Sequence, residues 1–254
     1  MQPFYFWLGG GHPAVDFVNT LDERLSPSPE ERLSSYETLV ELTRQSHLID
    51  EHEAEALVQH KGTSSGDSVL AAALLLREAL HSTLRALIAH EAPNQTDVAL
   101  IEAETRRATS ARRLAPAEMS LRWLWQKPDA PERPLWELAL TSENLLTSED
   151  VRRARMCADD DCGVMFVDYS RAGARRWCSM ASCGNRHKAR QFRSTHKQSV
   201  VGLYFNSGEQ TIRLHTTRSR ELLGPPLPVQ FRIPPAFWNT SMLPRVADFL
   251  PLAS

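Results

Sequence analysis

Apolar residues recur at helical spacing through most of the first 150 positions. Val15, Val18 and Leu21 give a first short apolar face. Leu39, Val40 and Leu42 give a second, and Ser34 with Glu37 three residues on predicts a capping box and a helix through His47. Asp50 predicts the cap of the next helix, through Gln59. Lys61–Asp67, KGTSSGD, is made of turn formers and predicts a loop. Val69–His90 predicts a long helix, apolar at Leu70, Leu74, Leu80, Leu84, Leu87 and Ile88. Pro93-Asn94 breaks it, and the period resumes over Thr96–Thr109. The spacing then shifts to alternation at Arg113–Leu114 and Leu121–Trp125, which predicts a short hairpin. Pro134–Leu146 and Glu149–Arg155 predict two further helices. Val164–Val167 predicts a strand, and Asn185 predicts the cap of a last helix.

Composition adds bounds. The chain has 254 residues, 42% of them apolar, enough for a packed core. Its longest apolar runs, such as Val69–Leu76, are too short to cross a bilayer. The opening MQPFYFWLGGGHP lacks the marks of a signal peptide, so the expected compartment is the cytoplasm, without a membrane partner. The net charge of −2 hides an asymmetry: −11 over residues 1–150, +7 over 151–198 and +2 over 199–254. An acidic body followed by a basic module fits a protein that meets a polyanion through one segment.

All four cysteines lie in that basic module. Cys157, Cys162, Cys178 and Cys183 form two C-x4-C pairs separated by 15 residues. In a reducing compartment this pattern predicts a metal clip, against the alternatives of two disulfides or four free thiols. Zinc suits four thiolates, and a site closed by four protein ligands is structural, not catalytic. One structural Zn2+ is therefore expected. Gly163 and Gly184, each just after a ligand, predict tight turns.

Beyond the last cysteine the pattern is helical. Arg186, Arg190, Arg193 and Lys197 fall on one stripe about 60° wide. Ala189, Phe192 and His196 fall on another face, suited to packing on the metal module. Arg175 and Arg176 add charge before the third cysteine. An arginine stripe beside a zinc module predicts contact with DNA through these six basic residues. The alternatives are a solvated face, or a protein-interaction module in which the zinc site only docks the helix on the acidic body.

The block from Cys157 to Arg190, with SRAGARRWCSMASCGNRHKAR at its heart, resembles the CGNR zinc finger, whose name tetrad stands here as Cys183-Gly184-Asn185-Arg186. The opening FWLGGGHPAVDFVNTLDER and the segment RPLWELALTSENLLTSEDVRRARMC resemble the ABATE domain, the usual companion of that finger. The resemblance covers residues 1–198 and implies a stress-induced bacterial transcription regulator with zinc and DNA binding. The expected fold is mainly α. A helical N-terminal domain with a short β-hairpin spans 1–150, and a four-cysteine finger ending in a basic helix spans 151–198. Residues 199–254 form a Pro-rich extension of unknown structure and depart from the resemblance. There Val200–Phe205 and Thr211–Leu214 predict a hairpin across Asn206-Ser207-Gly208. A lineage-specific extension, an interaction tail and a shifted reading frame are three open readings of this segment.

His12, Asp16 and Asn19 cluster near the start, either as the lining of a pocket for an unknown small-molecule effector or as a cap and a buried hydrogen-bonding pair. No P-loop, G-x-S-x-G, HExxH or paired-acid motif is present, so the chain is not expected to be an enzyme.

Overall fold

The computed structural model describes residues 4–196 and the backbone of three later strands, Val201–Asn206, Thr211–Thr216 and Gln230–Arg232. By packing the chain divides into two units, Met1–His187 and Lys188–Ser254.

The first unit is mainly helical. It opens with α1 (Pro13–Val18), followed by the short antiparallel pair β1 (Leu21–Asp22) and β2 (Glu30–Glu31). Then come α2 (Tyr36–Gln45), α3 (Glu51–Leu57) with a 3-10 turn at Val58–His60, α4 (Ser64–Ile88) and α5 (Gln95–Ser110). The hairpin β3 (Arg112–Ala117) and β4 (Ser120–Trp125) leads into α6 (Arg133–Thr147). A 3-10 turn, Glu149–Arg153, delivers the chain to the antiparallel pair β5 (Ala154–Met156) and β6 (Met165–Val167). A π-turn at Met180–Gly184 then runs directly into α7 (Asn185–His196), which continues into the second unit.

Local chemistry sets these boundaries. The capping box of α2 is Ser35 with Thr38, one residue later than the pattern predicts, because the Ser35 hydroxyl is the one that accepts from Thr38 N at 3.2 Å. Asp50 caps α3 and pairs with Glu53 in a second box. The loop expected over Lys61–Asp67 is shorter: Thr63 caps α4, and Ser64–Asp67 form its first turn. Gly66 is needed there, since a Cβ would collide with the His60 carbonyl oxygen. Asn94 caps α5, and α6 starts with a proline in its first turn. The helix expected over Glu149–Arg155 is instead a 3-10 turn and a strand, because Ala154 and Met156 pair with Val167 and Met165. Asn185 does not cap the last helix. Ser179 caps the π-turn before it, and Asn185 already has helical dihedrals, its amide donating to Ala181 O at 3.2 Å.

The core joins α1, α2, α4 and α6 through Phe17, Leu39, Leu42, Leu76, Leu80, Leu84 and Leu138, each at most 1% exposed. Met165 and Val167 of β6 belong to that same core. A satellite cluster collects Cys157, Phe166, Cys178 and Cys183, with Cys162, Val164 and Trp177 around them. Position 150, where the sequence changes character, is therefore not a break in packing: β6 faces the helical core and the metal cluster at once. Two buried arginines brace the helices. Arg77 grips Glu31 with two hydrogen bonds of 2.6 and 2.7 Å, and Arg133 reaches Glu53 at 2.5 Å and also bonds Glu137.

In the second unit β7 (Val201–Asn206), β8 (Thr211–Thr216) and β9 (Gln230–Arg232) form an antiparallel sheet in that order. β7 and β8 fall where the hairpin is expected, with Leu203 opposite Leu214. Val200, Ser207 and Gly208 lie outside the described residues.

Candidate metal centre and basic helix

Two loops bring the four cysteines together. The β5–β6 connection carries Cys157, whose N–H donates to Val164 O at 2.8 Å, and Cys162, whose N–H donates to Asp159 O at 2.9 Å. Gly163 then adopts φ +69°, a conformation that L side chains disfavour. The second loop carries Cys178 and, inside the π-turn, Cys183. Gly184 serves close packing, since a Cβ there would lie 2.9 Å from Met180 Sδ. Ala158 N–H donates to Arg176 O at 2.9 Å and ties the loops together.

The four sulfurs all lie within 4.8 Å of one another. Cys162 Sγ is 3.6 Å from Cys178 Sγ, which is 3.5 Å from Cys183 Sγ. These separations exceed a disulfide bond by more than an ångström. They are close to the edge of about 3.8 Å expected for a ZnS4 tetrahedron with Zn–S of about 2.3 Å. Without a cation two of the thiols resist ionisation. Its hydrogen bond with Cys178, and then burial, push the Cys162 thiol up, while burial is the main cause that pushes Cys183 up to about 11. A dication at the centre reverses that balance, because each thiolate then faces positive charge. The donor set therefore fits a structural zinc held by Cys157, Cys162, Cys178 and Cys183. The metal's contribution is to cross-link the two loops.

The surrounding groups complete the centre. Cys178 N–H donates to Cys157 Sγ at 3.4 Å, and Arg186 Nη2 donates to Cys183 Sγ at 3.5 Å. Arg186 Nε also lies 3.2 Å from the buried Asp159 carboxylate. Arg175 is drawn into the module as well. Its guanidinium donates to Trp177 O at 3.0 Å and to Cys178 O, and lies 4.2 Å above the Phe166 ring. Both arginines, expected from the sequence to face DNA, are thus occupied in holding the metal loops. Arg176 is exposed above Trp177, at 5.3 Å.

On α7, Arg190 and Arg193 are exposed. Lys197 lies outside the described residues. Of the residues expected to pack on the finger, Ala189 and Phe192 are exposed, Phe192 at 62%, and the side chain of His196 lies outside the described residues. The small finger is already filled by Phe166, Val164 and Trp177, and His187 covers it, its ring 4.7 Å from that of Trp177.

The polar cluster near the start resolves into separate roles. His12 Nδ1 caps α1, accepting from Ala14 N at 3.2 Å. Asn19 does not pair with Asp16. Its amide donates to Met165 O at 2.9 Å and accepts from Met165 N at 3.0 Å, clamping β6 to α1. Gly10 O accepts from Val167 N at 2.7 Å beside it. Asp16 and Asn19 also border a cleft of about 320 Å3 whose other walls include Tyr5, Trp7, Cys162 and Arg186; His12 is not part of it.

Asp16 yields a pH prediction. Its carboxylate accepts from Gly10 N at 2.8 Å, but burial dominates and raises its pKa to about 6. A raised carboxylate favours folding fully below its unfolded value near 4. That contribution is lost as pH rises through 6, so the ionised group costs stability at neutral pH. Asp16→Asn keeps an acceptor for Gly10 and removes the charge. It is expected to raise stability at pH 7 by about 3 kcal/mol and to flatten the profile between pH 4 and 6. Chemical denaturation across that range measures both, and an unchanged profile refutes the assignment.

Among the described residues no helix is long and apolar enough to cross a membrane. No curated protein matches the chain. The model of the CGNR zinc finger matches residues 153–196. That of the ABATE family, described as "Putative stress-induced transcription regulator", matches residues 11–149. With a metal-ready four-sulfur cluster where the finger model falls, and the ABATE match spanning more than half its length, the chain belongs to the ABATE family and carries a CGNR zinc finger directly after that domain.

Proposed function

We propose that this protein is a zinc-dependent DNA-binding transcription regulator of the cytoplasm, without enzymatic activity, holding one structural zinc per chain. The observation that carries the reading is the exposed Arg190–Arg193 face on a helix that grows directly from the metal loop. A zinc cross-link would fix the start of α7 at Asn185, next to the last cysteine. On this reading phosphate contacts supply affinity, and Arg190 is the residue assigned to a base edge. Arg176 adds a contact near the start of the finger. The family description as a transcription regulator supports the same reading.

The test is Arg190→Gln with Arg193→Gln, measured by fluorescence anisotropy on labelled duplex at several salt concentrations. Both side chains are exposed, so the melting temperature and zinc content should stay at wild-type values. DNA affinity should fall, and the log–log salt slope should become shallower by about two units, one for each phosphate that the variant no longer neutralises. Unchanged DNA affinity overturns the reading. The exposed Phe192 favours a second one, a protein-interaction surface on α7. It predicts no salt-dependent DNA binding by the wild-type chain.

A further inference from the structure

A second concentration of positive charge lies in the first unit, beside the β5–β6 pair. Arg153, Arg155 and Arg171 line a concavity of about 500 Å3. Arg153 closes the 3-10 turn after α6, Arg155 stands in β5, and Arg171 follows β6. The two walls are joined, since Asp168 N–H donates to Arg153 O at 2.9 Å. All three arginines are exposed, and none forms an ion pair among the described residues, whereas the neighbouring Arg152 takes Glu149 at 2.7 Å.

The one carboxylate in the lining does not neutralise them. Asp168 is 2% exposed, and its two oxygens accept from Ser170 N and Arg175 N, each at 2.9 Å. Hydrogen bonds from Ser170 are the main cause that holds it below the usual carboxylate range. Its charge is spent on shaping the turn. Tyr169 forms another wall: its hydroxyl donates to Asp150 at 2.7 Å, and Arg153 lies 6.0 Å above its ring. Arg155 is held in place by donating to the Arg152 and Ala154 carbonyls, both at 2.8 Å. Over Gly173, at φ +58°, there is open space.

Three arginines lining one open hollow, with the carboxylate of the lining bonded to backbone N–H groups and Asp150 bonded to Tyr169, match the charge and fork geometry of a phosphate. The volume exceeds that of one phosphate and suits a stretch of phosphodiester. We propose that this concavity is a phosphate-binding site, filled by the backbone of nucleic acid. The choice of nucleic acid over free phosphate rests on the DNA reading above; the phosphate chemistry does not.

The experiment uses the full, zinc-loaded chain and the variant Arg153→Gln/Arg155→Gln/Arg171→Gln. Inorganic phosphate is titrated while the Tyr169 ring resonances are followed, and labelled duplex is titrated at several salt concentrations. The wild type should show phosphate-dependent Tyr169 shifts that the variant lacks. The variant's salt slope on duplex should be shallower by about two to three units. The double change Arg153→Gln/Arg171→Gln leaves the Arg155 bonds intact, and gives about two units if the triple change loosens the turn. Tyr169 shifts with an unchanged duplex slope support the site and assign it to free phosphate. Tyr169 shifts with no duplex binding by the wild type support the site and overturn the DNA reading. Silent Tyr169 resonances with an unchanged slope, while the Arg190/Arg193 variant loses affinity, overturn this site and leave the DNA reading standing.

Discussion

Cys178→Ser should release the zinc and destabilise the helical body together with the finger. Cys178 is the central sulfur of the cluster, within 3.6 Å of Cys162 and 3.5 Å of Cys183. Zinc binding in small four-ligand modules is worth on the order of 10 kcal/mol and is inseparable from their folding. The finger here is no bead on a string. Phe166 packs on the cysteines, while its neighbours Met165 and Val167 pack in the helical core. Loosening the metal loops therefore loosens β6, and with it the Asn19 clamp and the seat of α1. Only part of the metal's free energy needs to reach the body to show. A loss of about 3 kcal/mol lowers the melting temperature of a unit this size by on the order of 10 °C. Elemental analysis and a helical thermal melt on the same samples check it. Zinc lost with an unshifted melt would show that β6 holds its place without the metal.

Arg133→Met should cost about as much by a different route. Arg133 is 2% exposed, bonds Glu53 of α3 and Glu137 of α6, and stacks 4.5 Å over Trp125 of β4. One guanidinium thus joins three elements. Removing the cation leaves Glu137, which burial already raises above the usual carboxylate range, without its main opposing charge. Breaking a buried pair in this way costs about 3–5 kcal/mol. Adding Glu137→Gln to the methionine variant should recover part of the loss, because the orphaned charge goes with it. A melting temperature within a degree or two of wild type in Arg133→Met would refute the role. No recovery in the double variant would place the cost in packing against Trp125 instead.

Much of this architecture is written in local sequence. Asp50 caps its helix where its side chain predicts, because a cap depends only on residues two or three positions away. The cysteine spacing likewise points to one cluster, and the structure brings the four sulfurs together. What eludes a linear reading is long-range. Asn19 and Met165 are 146 positions apart, and neither is distinctive in its own neighbourhood. Arg77 reads as the polar face of α4, yet it is buried because Glu31, 46 positions earlier, meets it there. Helices α2 and α4 are followed by His47 and His90 at positive φ, where glycine or asparagine is the usual mark, so those ends carry no local signal. Arginines within the finger are the hardest to sort. Charge alone does not separate Arg175 and Arg186, which hold the metal loops, from Arg190 and Arg193, which face solvent.

The Asn19–Met165 clamp also orders events during synthesis. As the chain leaves the ribosome, helices α1 to α6 emerge first, but the β6 part of the seat for α1 is still missing. Residues 165–167, which cover that part of the core, come last of the first unit's core strands. Val15, Phe17 and Val18, all buried in the finished fold, therefore gain the last of their neighbours, those of β6, only when the β5–β6 pair has formed. That pair closes around two of the four thiols, and the other two follow within about twenty residues. Completion of the helical core thus waits on the segment that captures metal. Until β6 docks, part of that apolar N-terminal segment stays on display, the kind of surface that chaperones and proteases recognise.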